Sequence, residues 1–352
     1  MSAPEVGRQR GYSLVSLMVG LVISLLVGLS AMGALQSFTL AQRQASGVGN
    51  LLSLGVQAES ILKFEISQAA RGLYLDGRPL CNAVNLSVED DVLSNGQELR
   101  PIDLSWNDSS ELTLDVRYGH ALEGAAVATL TSPLAEGVVQ LASRLRVKQG
   151  QAMLLMPPEG QVGTCTVRTV TAISPSDSMN GLRLTFGSDG THNKMPFESE
   201  GSYPEGSRVV VWGKFAHTRF SVRGRDLVMA RPLEKQEAVI ATGVRAFNVE
   251  LGHTDGVTEG VSKWTAPRTQ ADWQNLTEAR TQLRAIRTGL ILQSTQRDKP
   301  DPEGKCSATQ EIDAPVIFGD KLKFEDGDAC FKYRSFFTVV PLRNLFLSQA
   351  AS

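Results

Sequence analysis

The apolar positions along the chain fall into three regimes. From Tyr12 to Leu35 no charged side chain occurs, and the next charge is Arg43. As a helix that stretch would be about 36 Å long, enough to cross a hydrocarbon core of roughly 30 Å, so a membrane-spanning helix is predicted over 12–35. Leu51, Leu54, Ala58, Leu62, Ile66 and Ala69 then recur at steps of three and four, which extends the helix over 12–71 with one face to bury. Gly28, Gly33, Gly47, Gly49 and Gly55 interrupt it, each weakening it by about 1 kcal/mol relative to Ala. They read either as weak points or as places of close packing.

After Gly72 the period changes to two. Leu112, Leu114 and Val116 alternate with polar neighbours, as do Val139, Leu141, Leu145 and Val147, then Leu182, Leu184 and Phe186. Further β-rich runs lie at 208–212, 220–229 and 246–251, separated by turn formers such as Ser94-Asn95-Gly96, Gly187-Ser188-Asp189-Gly190 and Gly201-Ser202-Tyr203-Pro204. One short helix is predicted over 270–281. The pattern gives an α+β chain, a long N-terminal helix followed by a mostly antiparallel β head. Candidate divisions fall near 156–163 and 231–237, which splits the head into a β-rich region 72–235 and a C-terminal β region 236–352.

Charge sets the direction of insertion. Arg8 and Arg10 stand on the N-terminal side of the apolar run and would hold residues 1–11 in the cytoplasm, leaving the head outside. A conventional secretory signal is the competing reading; Ala31, Gly33 and Ala34 supply only a weak cleavage site for it. The 35 basic and 37 acidic residues nearly cancel, so no nucleic-acid footprint is present. Cys81, Cys165, Cys306 and Cys330 would face an oxidising periplasm, and no two are spaced as a metal or redox pair. Of three possible pairings, Cys81 with Cys165 and Cys306 with Cys330 close the shorter loops; free buried thiols are the alternative.

No catalytic motif is present. His120, His192, His217 and His253 are scattered, and the chain has no HExxH, GxSxG, GxxxxGK or post-strand GxGxxG. Asp255 and Glu259, or Glu325, Asp326 and Asp328, are acidic enough to suggest Ca²⁺. Neither group has EF-hand spacing, and both read better as solvated loops. No cofactor, metal or enzymatic activity is expected.

The junction of leader and apolar run is more specific than its hydropathy. Gly11, Tyr12, Ser13, Leu14, Val15 and Ser16, followed by Leu17, Met18, Val19, Gly20 and Leu21, resemble the processing site of type IV pilins and type II secretion pseudopilins. The resemblance implies that a prepilin peptidase cuts between Gly11 and Tyr12 and that Tyr12 becomes N-methylated. It also implies an inner-membrane, single-pass subunit with a periplasmic head. Gly33 falls where pilin helices often carry a breaker. In the C-terminal third, Phe247, Val249 and Leu251, the Asp255-Gly256 loop, Trp273, the run 283–294 and the closing Leu342-Arg343-Asn344 follow the order of the PilW family of minor pilins. The partners so implied are other minor pilins, the major pilin, the pilus assembly platform and a tip adhesin. A secretion pseudopilin and a membrane-tethered periplasmic binding protein or enzyme are the alternatives.

One position departs from that pattern. Ser16 stands where the family usually has Glu, a carboxylate thought to meet the N-terminal amine of the subunit docked ahead. An uncompensated amine in an apolar bundle costs several kcal/mol, so a chain with Ser16 fits a place at or near the tip, with nothing ahead of it. The alternative is a tolerated variant whose hydroxyl bonds back to a helix carbonyl.

Overall fold

The computed structural model describes residues 14–75, 78–107, 111–120, 127–176, 181–194, 197–198, 201–256, 260–276, 282–301 and 303–345. Helix α1 (Leu14–Gln68) is unbroken over 55 residues. The short β1 (Tyr74–Leu75) and β2 (Arg78–Pro79) follow, then the hairpin β3 (Val84–Val88) and β4 (Asp91–Gln97), then β5 (Ile102–Trp106) and β6 (Leu112–Gly119). An insertion carries β7 (Val127–Thr129), β8 (Val138–Leu141), β9 (Ala152–Met156), β10 (Cys165–Thr169), β11 (Ala172–Pro175), β12 (Leu182–Thr185) and β13 (Arg208–Gly213). The chain returns through β14 (Phe215–Arg223), β15 (Asp226–Arg231), β16 (Gln236–Thr242) and β17 (Val244–His253). It ends with β18 (Lys263–Thr265), α2 (Gln270–Asn275), β19 (Leu283–Gln293), β20 (Val316–Ile317), β21 (Asp320–Lys321) and β22 (Tyr333–Pro341). The expected α+β class holds: one long helix and a mostly antiparallel β head, with β3 against β10 a parallel pairing.

Two sheets form the body that receives the helix. Their orders are β16-β15-β14-β6-β5 and β18-β17-β19-β22. Both turn apolar faces inward: Leu114, Val116 and Phe220 from one, Val249, Ile286, Leu290 and Val340 from the other, close a single core around Leu51, Ala58, Leu62 and Ile66 of α1. This core runs across residue 236. The 232–235 stretch is a tight turn between the paired strands β15 and β16, and 157–164 connects β9 to β10 within one sheet.

The insertion between β6 and β14 closes into a small barrel. The strand 165–175 continues from β10 into β11; β11 pairs with β12, β12 with β8, β7 with β13, β13 with β9, and β9 with β10. The seam between β7 and β8 is held by the Leu130–Leu141 bridge and by Thr131 N donating to Gln140 O at 2.8 Å. Leu130, Val139, Leu141, Met153, Leu155, Leu184, Val209 and Val211 fill its interior. Closure shields most strand edges of the ring, with β7 and β8 meeting only at the short seam.

Local expectations differ in four places. Ser94-Asn95-Gly96 is not a free turn but part of β4, where Gly96 adopts φ 70° and the register with β3 shifts. Leu145 and Val147 pack on the barrel core from an irregular segment after β8 has ended. The run 220–229 is a hairpin, turned at Gly224 with φ 63°. The second helix ends at Asn275 because Trp273 is its single buried anchor; 277–281 lie outside the described residues.

Candidate functional site

Among the described residues, none buries the first part of α1. Leu14–Leu35 has a mean hydropathy of 2.5 over 22 residues with none of it buried, and the helix is long enough to cross a membrane. Leu17, Leu21, Ile23, Leu25, Leu29 and Met32 are each more than half exposed. Backbone polar groups are satisfied within the helix, and two hydroxyls follow suit: Ser24 donates to Leu21 O at 2.9 Å and Ser30 to Leu26 O at 2.5 Å. Ser16 is exposed in the first described turn; Gly11 and Tyr12 lie outside the described residues.

The second part is seated in the head along the expected stripe. Leu51, Ala58, Leu62, Ile66 and Ala69 are buried, and Leu54 packs against them. The interrupting glycines divide into three kinds, Gly47 being buried with room for a Cβ in ordinary contact 3.5 Å from Gln296. A Cβ at Gly55 would come closer than 3.0 Å to the ring of Phe336 on β22, so this glycine lets helix and sheet touch. A Cβ at Gly28, Gly33 or Gly49 would meet nothing within 4 Å.

The end of the helix is fixed by long-range polar contacts that no local pattern signals. Glu65 is 2% exposed; its Oε2 accepts from Tyr118 Oη and Thr218 Oγ1, each at 2.9 Å, and its Oε1 from Arg231 at 3.2 Å. Burial and the adjacent Glu65 carboxylate push the Tyr118 phenol above its ordinary value. Asn344 donates from Nδ2 to Ser67 O and Ala69 O, both at 3.1 Å, satisfying carbonyls that the helix leaves open. The closing Leu342-Arg343-Asn344 segment is therefore a cap on α1, with Leu342 in the core. Trp273 is buried under β5 and donates from Nε1 to Asp103 at 2.8 Å, and α2 is started by a reciprocal Thr269–Asp272 capping box.

Cysteines pair as Cys81–Cys165 and Cys306–Cys330, the arrangement that closes the shorter loops. The first fastens the β3–β4 hairpin to the barrel; the second closes the segment that covers the outer face of β19. The acidic group at 325–328 is not wholly a solvated loop, since Asp328 is 3% exposed and paired with Arg245, whose NH2 lies 2.8 Å from Oδ2. Among the described residues no group of three or more His, Cys, Asp or Glu could hold a metal; Glu259 falls outside them. His217 Nε2 contacts Asp115 at 2.8 Å inside a sheet-face network with Arg219, and His192 Nδ1 contacts Ser87 O at 2.6 Å.

No family model and no curated protein matches the chain. Among solved structures it is similar to a type IV-like pilin from Thermus thermophilus, with 16% identity over 56% of this chain and 85% of that chain. The TM-score is 0.22, too low to establish a common fold.

Proposed function

We propose that this chain is a minor subunit of a type IV pilus, made with a leader at 1–11 and cut between Gly11 and Tyr12. The carrying observation is one uninterrupted helix with two environments: an exposed, predominantly apolar stretch of 22 residues at its start and a buried, capped seat in the head at its end. Such a helix can rest in lipid and later leave it to pack among other subunits' helices without disturbing the head. Removal of the basic leader keeps the anchor and frees an amine at Tyr12. The head then lies in the periplasm, and the role is assembly, not catalysis. Ser16, lacking the carboxylate that would meet an amine ahead of it, supports a place at or near the tip and a part in starting assembly.

N-terminal sequencing of the mature protein is the test. A start at N-methylated Tyr12 is expected; a start at Met1, or well downstream of Leu35, overturns the reading. Position is tested by Ser16→Glu, expected to reduce pilus number or move the subunit away from the tip. Unchanged number and position would defeat the tip assignment alone.

A further inference from the structure

Among the described residues, β4 is an outermost strand of the sheet β4-β3-β10-β9-β13-β7, with β3 as its one neighbour. Their ladder breaks in the middle. Ser94 pairs with Leu86 and Gln97 with Val84, so Asn95 and Gly96 of β4 stand together opposite Asn85 in a bulge. The residue before the bulge is fixed, since Ser94 is buried and donates from Oγ to Val84 O at 2.7 Å. Asn95 and Gly96 are both exposed. Gly96 has φ 70°, and a Cβ built there would meet nothing within 4 Å.

The main-chain nitrogen that follows an asparagine can attack the side-chain Cγ and close a five-membered imide. A side chain on the attacking residue obstructs that approach, and glycine has none. A regular ladder resists ring closure by fixing the backbone torsions, whereas a bulge on an open edge leaves its extra residue outside the pairing. Among the described residues, Asn95 is the one asparagine that glycine follows. Asn85 is buried and precedes Leu86. Asn193 precedes Lys194, and its Nδ2 donates to Thr169 O at 2.8 Å and to Gly187 O at 2.6 Å. Asn180, which also precedes a glycine, lies outside the described residues.

We propose that Asn95 is a self-modifying site, deamidated by its own chain in the folded head. The nitrogen of Gly96 gives its proton to water and bonds to Asn95 Cγ; the Cγ–nitrogen bond of the side-chain amide breaks and ammonia leaves. Water then opens the imide at either carbonyl. Attack at Cγ gives aspartate, and attack at the main-chain carbonyl gives an isoaspartyl link that routes the chain through the former side chain. The sum is amide plus water to carboxylate plus ammonium, with no oxidant, reductant or enzyme. Either product adds one negative charge to a chain of formal net charge -2. The extra backbone carbon of the isoaspartyl link falls between the Ser94 and Gln97 pairs, so the β3–β4 hairpin keeps its place.

The test incubates the full chain in detergent and maps its digests over time by mass spectrometry, with fragmentation that separates aspartyl from isoaspartyl links. The peptide holding Asn95 is expected to gain about one dalton, in both isomers and faster at pH 9 than at pH 7, while the far-UV spectrum stays unchanged. Asn85 and Asn193 should remain amides. A second sample, reduced and unfolded in guanidinium, gives the rate without structure, and the folded rate should lie within about tenfold of it. Gly96→Ala should slow the folded reaction about tenfold or more, and Asn95→Gln, which needs a larger ring, should also slow it. An unmodified Asn95 in the folded chain, conversion in the unfolded sample alone, equal conversion at Asn85 and Asn193, or an undiminished rate in both variants would each overturn the proposal.

Discussion

Two glycines of α1 six residues apart should respond to the same substitution with opposite signs. Gly49→Ala adds a methyl group to an exposed helical position with nothing within 4 Å, so the helix-propensity gain of about 1 kcal/mol is realised in full. Gly55→Ala brings the same propensity gain, but its Cβ would lie closer than 3.0 Å to three atoms of the Phe336 ring. Overpacking of this kind costs about 1–3 kcal/mol, so the net effect is a loss of about 0–2 kcal/mol. Against Gly49→Ala the difference is about 1–3 kcal/mol, or roughly 1–4 °C in Tm at this size. The measurement is thermal unfolding in detergent with disulfides intact, followed by tryptophan fluorescence. Adding Phe336→Leu to Gly55→Ala should recover at least about 1 kcal/mol of the overpacking, seen as coupling in a double-mutant cycle. If Gly55→Ala stabilises as much as Gly49→Ala, or shows no coupling to position 336, the helix is not seated on β22 as described.

Three further outcomes follow from other contacts. Asn344→Ala should cost about 1–2 kcal/mol by opening the carbonyls of Ser67 and Ala69, with hydrogen exchange at the end of α1 as the readout. Burial alone would raise the Asp115 carboxyl, but hydrogen bonds from His217 and Arg219 hold it well below its ordinary value. Its stabilising contribution is therefore complete above the unfolded carboxyl range near 3.8 and is lost as pH falls below it. Asp115→Asn should then cost about 2–3 kcal/mol at pH 7 and clearly less at pH 3, measured by denaturant unfolding. Replacing both Cys81 and Cys165 by Ser opens an 84-residue loop and should cost about 4.5 kcal/mol, against about 3.5 kcal/mol for the 24-residue Cys306–Cys330 loop, compared by denaturant midpoint.

What the sequence revealed depended on the range of the interactions involved. The membrane-length run and the buried stripe from Leu51 to Ala69 were legible because a helix writes its faces at fixed spacing. Strands such as 112–119 and 244–253 were legible because each has one face against the α1 core. Barrel closure was not, since it depends on which strands find one another: β7 with β13 and β11 with β12 are pairings across loops of differing length. The Pro and charge at 231–237 serve a turn between two paired strands of one sheet, a use that composition alone does not reveal. Glu65 illustrates the limit most clearly. Its spacing places it on the inner face of α1, but Tyr118, Thr218 and Arg231, which make its burial tolerable, are 53, 153 and 166 residues away.

The barrel's place between β6 and β14 bears on the order of folding. Gly119 and Phe215 are register partners, yet the whole stretch 120–214 separates them along the chain. Bringing the ends of so long a flexible segment together costs about 4 kcal/mol in closure entropy. A barrel that has already formed sets its two ends side by side and removes most of that cost before the body sheet zips. The expected sequence is inside-out, with the guest domain condensing first and its host sheet, together with the helix it holds, completing afterwards.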